Sequence, residues 1–354
     1  MGELIIGGIA VGEDHPVFMI AEIGHNHQGN PELAMAMLKA ARESGASAAK
    51  LQKRHLPSLF TTEFARQPYR SEHAFGTTYL EHRAALELDE QTWRDLTAYA
   101  RDIGILFFAT AFDVPSADFL VGLGVPALKI GSGDALNWPL LDHAATLGVP
   151  LIVSTGGLSW DDVDATALRL ADCGAQFALL QCTSTYPCPP EELDLSVISA
   201  MRQRYPEIII GYSGHEQGII PSLAAATLGA SIIERHFTTD NSLRGSDQRY
   251  SLTPDAMAEL VRGISLVRRS LGTGRKQRYP SEGPALHKLG KKLVAATDLP
   301  VGHILSRTDL AVRSPADGLS PCLLDQVVGT SLLRPLKRDE ALTLQDTVYP
   351  TLRP

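Results

Sequence analysis

The chain has 354 residues, 44% hydrophobic and 20% charged, a globular composition with enough length for one large domain and a small one. Its formal net charge of −8 disfavours broad binding to nucleic acid or an anionic membrane. No apolar run reaches the roughly 20 residues that cross a bilayer, and the acidic start MGELIIGGIAVGEDHP lacks the basic segment of a secretory leader, so a cytoplasmic protein is expected.

From residue 18 to about 271, short apolar runs alternate with amphipathic helical stretches. The runs are 18–24 (FMIAEIG), 48–52 (AAKLQ), 105–110 (ILFFAT), 127–132 (ALKIGS), 151–155 (LIVST), 177–183 (FALLQCT), 208–214 (IIIGYSG) and 231–237 (SIIERHF). They are continuously apolar, as parallel strands covered on both faces must be. Helical patterns lie between them at Pro31–Ser44, Glu90–Ile103, Asp161–Cys173 and Pro254–Leu271, and glycines such as Gly45 and Gly104 follow as left-handed caps. Eight strand–helix repeats predict a (β/α)8 TIM barrel over 1–271. A doubly wound sheet is the alternative, but no GxGxxG follows the first strand.

One long interruption, Lys53–Leu88, follows a strand's C-terminal end, where a loop of that length is usually functional. Its aromatics Phe60, Phe64, Tyr69 and Phe75 before Tyr79 argue for order. Residues 272–285 gather Gly, Pro and charge and read as a linker. Residues 286–354 then form a small domain of short strands, weakly basic with nine Lys+Arg against seven Asp+Glu. Cys173, Cys182, Cys188 and Cys322 show no metal or disulfide spacing, which predicts buried free thiols.

Barrels of this kind place their chemistry at the C-terminal ends of the strands. Those ends here carry Glu22, His25 and Asn26; Lys50, Gln52 and Lys53; Thr110; Lys129, Ser132 and Asp134; Ser154 and Thr155; Gln181, Thr183, Ser184 and Tyr186; Ser213 and His215; Glu234 and His236. Inward lysines at 50 and 129 cost several kcal/mol each without partners and so call for an anion. His215 and His236 close neighbouring strands and can share one divalent ion, leaving positions for water and substrate.

GHNHQGNPELA, AAKLQK, FFATAFD, LKIGSGD, LIVSTGG, LLQCTSTYPCPPEELDL, GYSGHEQGI and IIERHFTTD resemble, in order and spacing, the sialic acid synthase family. KKLVAATDLPVGHILSRTDLAVRSP is similar to that family's C-terminal antifreeze-like (SAF) domain. The resemblance covers essentially the whole chain and implies condensation of phosphoenolpyruvate with an open-chain N-acetylmannosamine-type sugar. It implies a divalent cofactor, manganese first with magnesium and cobalt as alternatives, held by His215 and His236. Lys53, Thr110, Lys129, Ser132, Ser184 and Ser213 match the phosphoenolpyruvate positions, and Gln52 and Glu22 match the reacting centre. Asp134 stands where many bacterial relatives carry Glu, beside the carbon that water attacks, one methylene shorter. Tyr186 and Asp247 match sugar contacts. Arg313 matches the arginine that the C-terminal domain lends to a partner's barrel in a domain-swapped homodimer, although the usual Arg-Pro-Gly reads Arg-Ser-Pro-Ala here.

The interruption resembles that of the vertebrate type, which uses the sugar 6-phosphate where bacterial synthases use the free sugar. Arg66, Arg70, His73 and His82 are candidate phosphate donors in it. A free or modified sugar, for a related nonulosonic acid, stays open. So does a non-enzymatic glycan- or ice-binding protein, though the charged rim counts against a decayed barrel. A seven- or eight-carbon keto acid synthase lacks the appended domain.

Overall fold

The first element is one that the apolar runs did not predict: β1 (Leu4–Ile6) and β2 (Ile9–Val11) pair as an antiparallel hairpin. Its two-residue turn needs positive φ at both positions, supplied by Gly7 (56°) and Gly8 (83°). Ile6 and Val11 are buried, and Gly7 lies against Leu106 and Pro126 at the start of two barrel strands, so the hairpin covers the barrel's N-terminal mouth.

The eight apolar runs fold as eight parallel strands. In the computed structural model, which describes residues 2–348, they are β3 (Phe18–Gly24), β4 (Ala48–Lys53), β5 (Leu106–Ala111), β6 (Leu128–Ile130), β7 (Leu151–Ser154), β8 (Phe177–Cys182), β9 (Ile209–Gly214) and β10 (Ile232–His236). They close in sequence order into a barrel, with β10 beside β3. The strand expected at 127–132 is shorter, because Ser132–Asp134 turns into a 3-10 helix. Side chains alternate across a strand, so register decides what meets at the rim. Glu22 is level with both Lys50 and His236, Gln52 with Thr110, and Thr110 with Lys129.

The helices cover the barrel by burying one apolar stripe each. Glu90–Ile103 starts at Asp89, whose side chain accepts from the Thr92 amide, and ends at Gly104 with φ of 73°. Its Trp93 is buried with its ring 5.7 Å from Phe107 of β5. The interruption holds three short helices, Leu56–Leu59, Thr62–Ala65 and Tyr79–Ala84, tied together by ring contacts of Tyr79 with Phe64 (4.8 Å) and Phe60 (5.2 Å).

The chain divides after Gly272 into two compact units. The expected linker 272–285 is not without structure: Glu282 accepts from the Tyr279 amide, closing the turn Pro280–Glu282 ahead of a helix at Gly283–Leu289. In the second unit β11 (Lys292–Ala295) pairs antiparallel with β12 (Leu310–Arg313) over a core of Leu293, Leu305, Val327, Leu336 and Leu342. Residues 349–354 of the expected 286–354 domain lie outside the described residues. Among the described residues no helix is long and apolar enough to cross a membrane. Cys182 and Cys188 are buried as expected, but Cys173 and Cys322 are exposed. Cys173 caps the solvent-side end of helix Trp160–Asp172, which the apolar stripe does not reach.

Candidate active site

Two cavities open at the C-terminal end of the barrel. One, of about 400 Å3, is walled by strand ends, and the other, of about 320 Å3, by the loops at 54–86 and 245–247. They share Gln52, Phe112, Tyr186 and His236 as a common wall.

Two lysines and two carboxylates form the floor of the strand-end cavity. Lys50 Nζ lies 2.5 Å from Glu22 Oε2, 2.7 Å from Thr110 Oγ1 and 3.7 Å from Glu234 Oε1. Lys129 Nζ donates to Ser154 Oγ at 2.7 Å and stands 3.6 Å from the same Glu234 oxygen. All four charged groups are buried, which is tolerable because each sign answers the other. Burial pushes Glu22 up, and Glu234 beside it works the same way. Burial also pushes Lys129 down. Glu234 is lowered against its own burial, by Lys129 and then Lys50. Ser132, Ser184 and Ser213 complete the wall, so the cavity offers two cations and several hydroxyls to an anion.

His215 and His236 face each other across the same cavity, ring centroids 5.4 Å apart. The Nδ1–H of His215 donates to the Thr183 carbonyl at 2.8 Å, which fixes the tautomer and leaves Nε2 with its lone pair free. Burial, then the neighbouring His236, lowers His215 to about 4, so it is a neutral imidazole at neutral pH. His236 Nδ1 is buried without a hydrogen-bond partner, 3.6 Å from Asp247 Oδ2. Two neutral imidazoles, one with its other nitrogen anchored to a carbonyl, fit the donor set of a divalent ion. Among the described residues no group of three or more His, Cys, Asp or Glu gathers around one point. The Tyr186 ring lies tilted against His215 at 4.0 Å, and Tyr250 lies 5.0 Å from His236.

Arg235 sits between Glu234 and His236 in sequence but points out of the barrel. There it donates to the carbonyls of Gly214, Glu216 and Gly218 (3.1, 2.5 and 2.8 Å), to Ser222 Oγ and to the Glu216 carboxylate. Tyr212 and Ser222 donate to the same carboxylate. This buried network fastens the 214–218 segment, and so His215, to the strand that carries His236.

Most residues named from sequence meet here. Glu22, Gln52, Thr110, Lys129, Ser132, Ser184, Tyr186, Ser213, His215 and His236 line the strand-end cavity, and Asp247 lines the other. Five do not join them. Lys53 is one residue past Gln52, so strand alternation turns it outward, where it bonds Glu87 at 3.2 Å and lies 5.7 Å over the Phe119 ring. Lys50 holds the inward place. Asp134 follows Gly133 on the turn, its carboxylate accepting from Asn137 Nδ2 at 3.0 Å and standing outside both cavity walls. Arg66 and Arg70 are exposed and line neither cavity, because the short helix Thr62–Ala65 packs through its aromatics and leaves them on the outer side. Arg313 belongs to the second unit, exposed, with Asp339 at 3.7 Å. The arginines that do line the loop-walled cavity, Arg54 and Arg83, were not singled out from the sequence, and neither was Arg235.

Fold and cavity define a (β/α)8 barrel of the enzyme type, with two buried lysines, two carboxylates and two imidazoles gathered at its strand ends. The chain belongs to the NeuB family, whose profile matches residues 37–276, and the SAF domain profile matches 292–347. It is 42% identical over 333 residues to the N-acetylneuraminate-9-phosphate synthase of Homo sapiens, covering 94% of this chain and 93% of that protein. It is 35% identical to the N,N'-diacetyllegionaminic acid synthase of Legionella pneumophila, covering 91% and 92%. The crystal structure of N-acetylneuraminic acid (sialic acid) synthetase from Leptospira borgpetersenii, in complex with citrate, is similar with a TM-score of 0.71 and 34% identity, covering 80% of this chain and 95% of that one.

Proposed function

We propose that the protein condenses phosphoenolpyruvate with an N-acetylmannosamine-type sugar. C3 of the enol ether bonds to the sugar's aldehyde carbon, water adds at C2, and phosphate leaves to give a nine-carbon 2-keto acid. The observation that carries this reading is the pairing, in one cavity, of the Lys50–Lys129 cations with the two neutral imidazoles of His215 and His236. The names of the relatives support the same chemistry.

Lys50 and Lys129, with Thr110, Ser132, Ser184 and Ser213, hold the phosphate and carboxylate of phosphoenolpyruvate. Glu22 and Glu234 neutralise the lysines until that anion arrives. His215 and His236 would hold a divalent ion, manganese first and magnesium or cobalt otherwise, which supplies Lewis-acid polarisation of the aldehyde when bound. Tyr186 and Asp247 orient the sugar from the shared wall. As C2 becomes electron-poor, a carboxylate must take a proton from the incoming water. Asp134 is assigned that role, with its carboxyl pushed up by burial; it must give up the Asn137 bond to reach the cavity.

The weakly basic second unit and the exposed guanidinium of Arg313 support a domain-swapped homodimer in which Arg313 serves the partner's sugar. The test is release of inorganic phosphate from phosphoenolpyruvate with manganese, given N-acetylmannosamine or its 6-phosphate. Sugar-dependent release supports the condensation, and phosphoenolpyruvate left intact with both sugars sinks it.

A further inference from the structure

His25 lies between two guanidinium groups in the wall of the loop-lined cavity. Arg54 Nη1 stands 2.8 Å from its Nε2, and Arg83 Nη1 stands 3.4 Å from its Nδ1. Burial, then the charge of Arg54, holds His25 well below its ordinary pKa, so the ring is neutral. A neutral imidazole has one accepting nitrogen and one N–H, while guanidinium nitrogens only donate. The ring can therefore accept from only one arginine. The shorter contact marks Nε2 as the acceptor, which leaves the Nδ1–H facing the Arg83 N–H, donor against donor.

Arg83 lies with its guanidinium 5.1 Å over the Tyr79 ring, and its charge acts on the Asp247 carboxylate of the same cavity without touching it. Its Nε donates to Tyr79 Oη at 3.0 Å, and among the described residues no carboxylate comes within 4.0 Å of its guanidinium. Arg54, by contrast, has Glu87 at 4.0 Å, Gln52 Oε1 at 2.8 Å and the Phe112 ring beneath it at 3.7 Å. An oxyanion beside Arg83 and His25 would accept from both facing donors at once. The cavity continues through the shared wall to His236, where the aldehyde end of the sugar belongs, so the anion would sit at the sugar's far end.

We propose that Arg83 and the Nδ1–H of His25, backed by the charge of Arg54, form a binding site for a phosphate monoester on the sugar's terminal carbon. The condensation reading identifies the ligand as a sugar; the donor geometry alone calls for the anion. Arg83 is thus the residue that sets preference for the phosphorylated sugar.

The experiment measures binding by calorimetry and turnover by phosphate release, for N-acetylmannosamine and its 6-phosphate, on the wild type, Arg83→Met and Arg83→Lys. The wild type is expected to favour the phosphorylated sugar in both assays, and Arg83→Met to lower that preference about 10- to 100-fold, the scale of one charge-assisted contact. Arg83→Lys should keep part of it. Equal affinity of the wild type for the two sugars overturns the site, as does a loss in Arg83→Met shared equally by both. Tight binding of the phosphorylated sugar without turnover would uphold the site and overturn the condensation.

Discussion

Arg235 Nη1 lies 2.7 Å from Glu216 Oε1, with the two side chains only 1% and 2% exposed. Removing one member of such a pair strands a charge in the interior, at a cost of about 3–5 kcal/mol. Arg235→Met should therefore lower the thermal midpoint sharply, and adding Glu216→Leu should recover part of the loss. Affinity for manganese should stay weak in both, because neither variant re-fastens the 214–218 segment to β10. A single variant that melts with the wild type would show that the pair does not hold this corner together.

Lys50 and Lys53 are three residues apart and face opposite ways. Lys50→Met is expected to raise the KM for phosphoenolpyruvate about 100-fold or more, the scale of two lost charge-assisted contacts. Lys53→Met should move it only a few-fold. The reverse order in steady-state kinetics would return Lys53 to the cavity.

His215→Ala and His236→Ala should each weaken manganese binding at least about tenfold, as measured by the paramagnetic signal of the free ion during titration. This readout is independent of turnover. Unchanged affinity in both variants would place the ion elsewhere.

Asp134→Asn keeps the side chain's size and its bond to Asn137 while removing its basicity. Phosphoenolpyruvate should still bind and product formation should stop. A variant with wild-type turnover would hand the proton step to Glu22 or Glu234, which already face the cavity.

Asp309 in the second unit accepts from Ser306 Oγ and from His303 Nε2, at 2.6 and 3.0 Å. The Ser306 bond, then the His303 one, lowers its carboxyl from 3.8 to about 2. A depressed acid contributes stability above its unfolded value and loses it as pH falls through its folded one. Amide-exchange protection across 292–347 should therefore drop between about pH 4 and pH 2. Asp309→Asn should be less protected than the wild type at pH 7, and the difference should close only as pH falls below about 2. A pH-independent difference would mean that the carboxylate's charge plays no part.

The barrel was legible because each strand is buried on both faces, which leaves an unbroken apolar run such as FMIAEIG or LIVST with no competing pattern. The hairpin at Gly7–Gly8 carries a Gly-Gly turn signal too, but its three-residue apolar runs are too short to stand out beside the longer repeats. The inward place of Lys50 followed from counting alternate residues back from Gln52. Family likeness pointed one lysine too far along the same strand. Arg54, Arg83 and Arg235 had no local signal. Their positions depend on partners far away in sequence: Phe112 under Arg54, His25 beside Arg83, and the Gly214–Gly218 carbonyls around Arg235. Arg66 and Arg70 looked better placed than they are because the order of the interruption comes from ring packing around Tyr79, which spacing does not encode.

Glu22 on β3 is level with His236 on β10, and across that seam Asn26 donates to the Phe237 carbonyl, 211 positions away. The cavity thus straddles the line where the first and last staves of the barrel meet. A polypeptide emerging from the ribosome carries Glu22 and Lys50 long before the strand that completes the ring exists. A chain that stops before β10 lacks both Glu234 and His236, and its barrel has no strand to close it against β3. The two strands that must meet at this cavity are the first and the last of the barrel to be made.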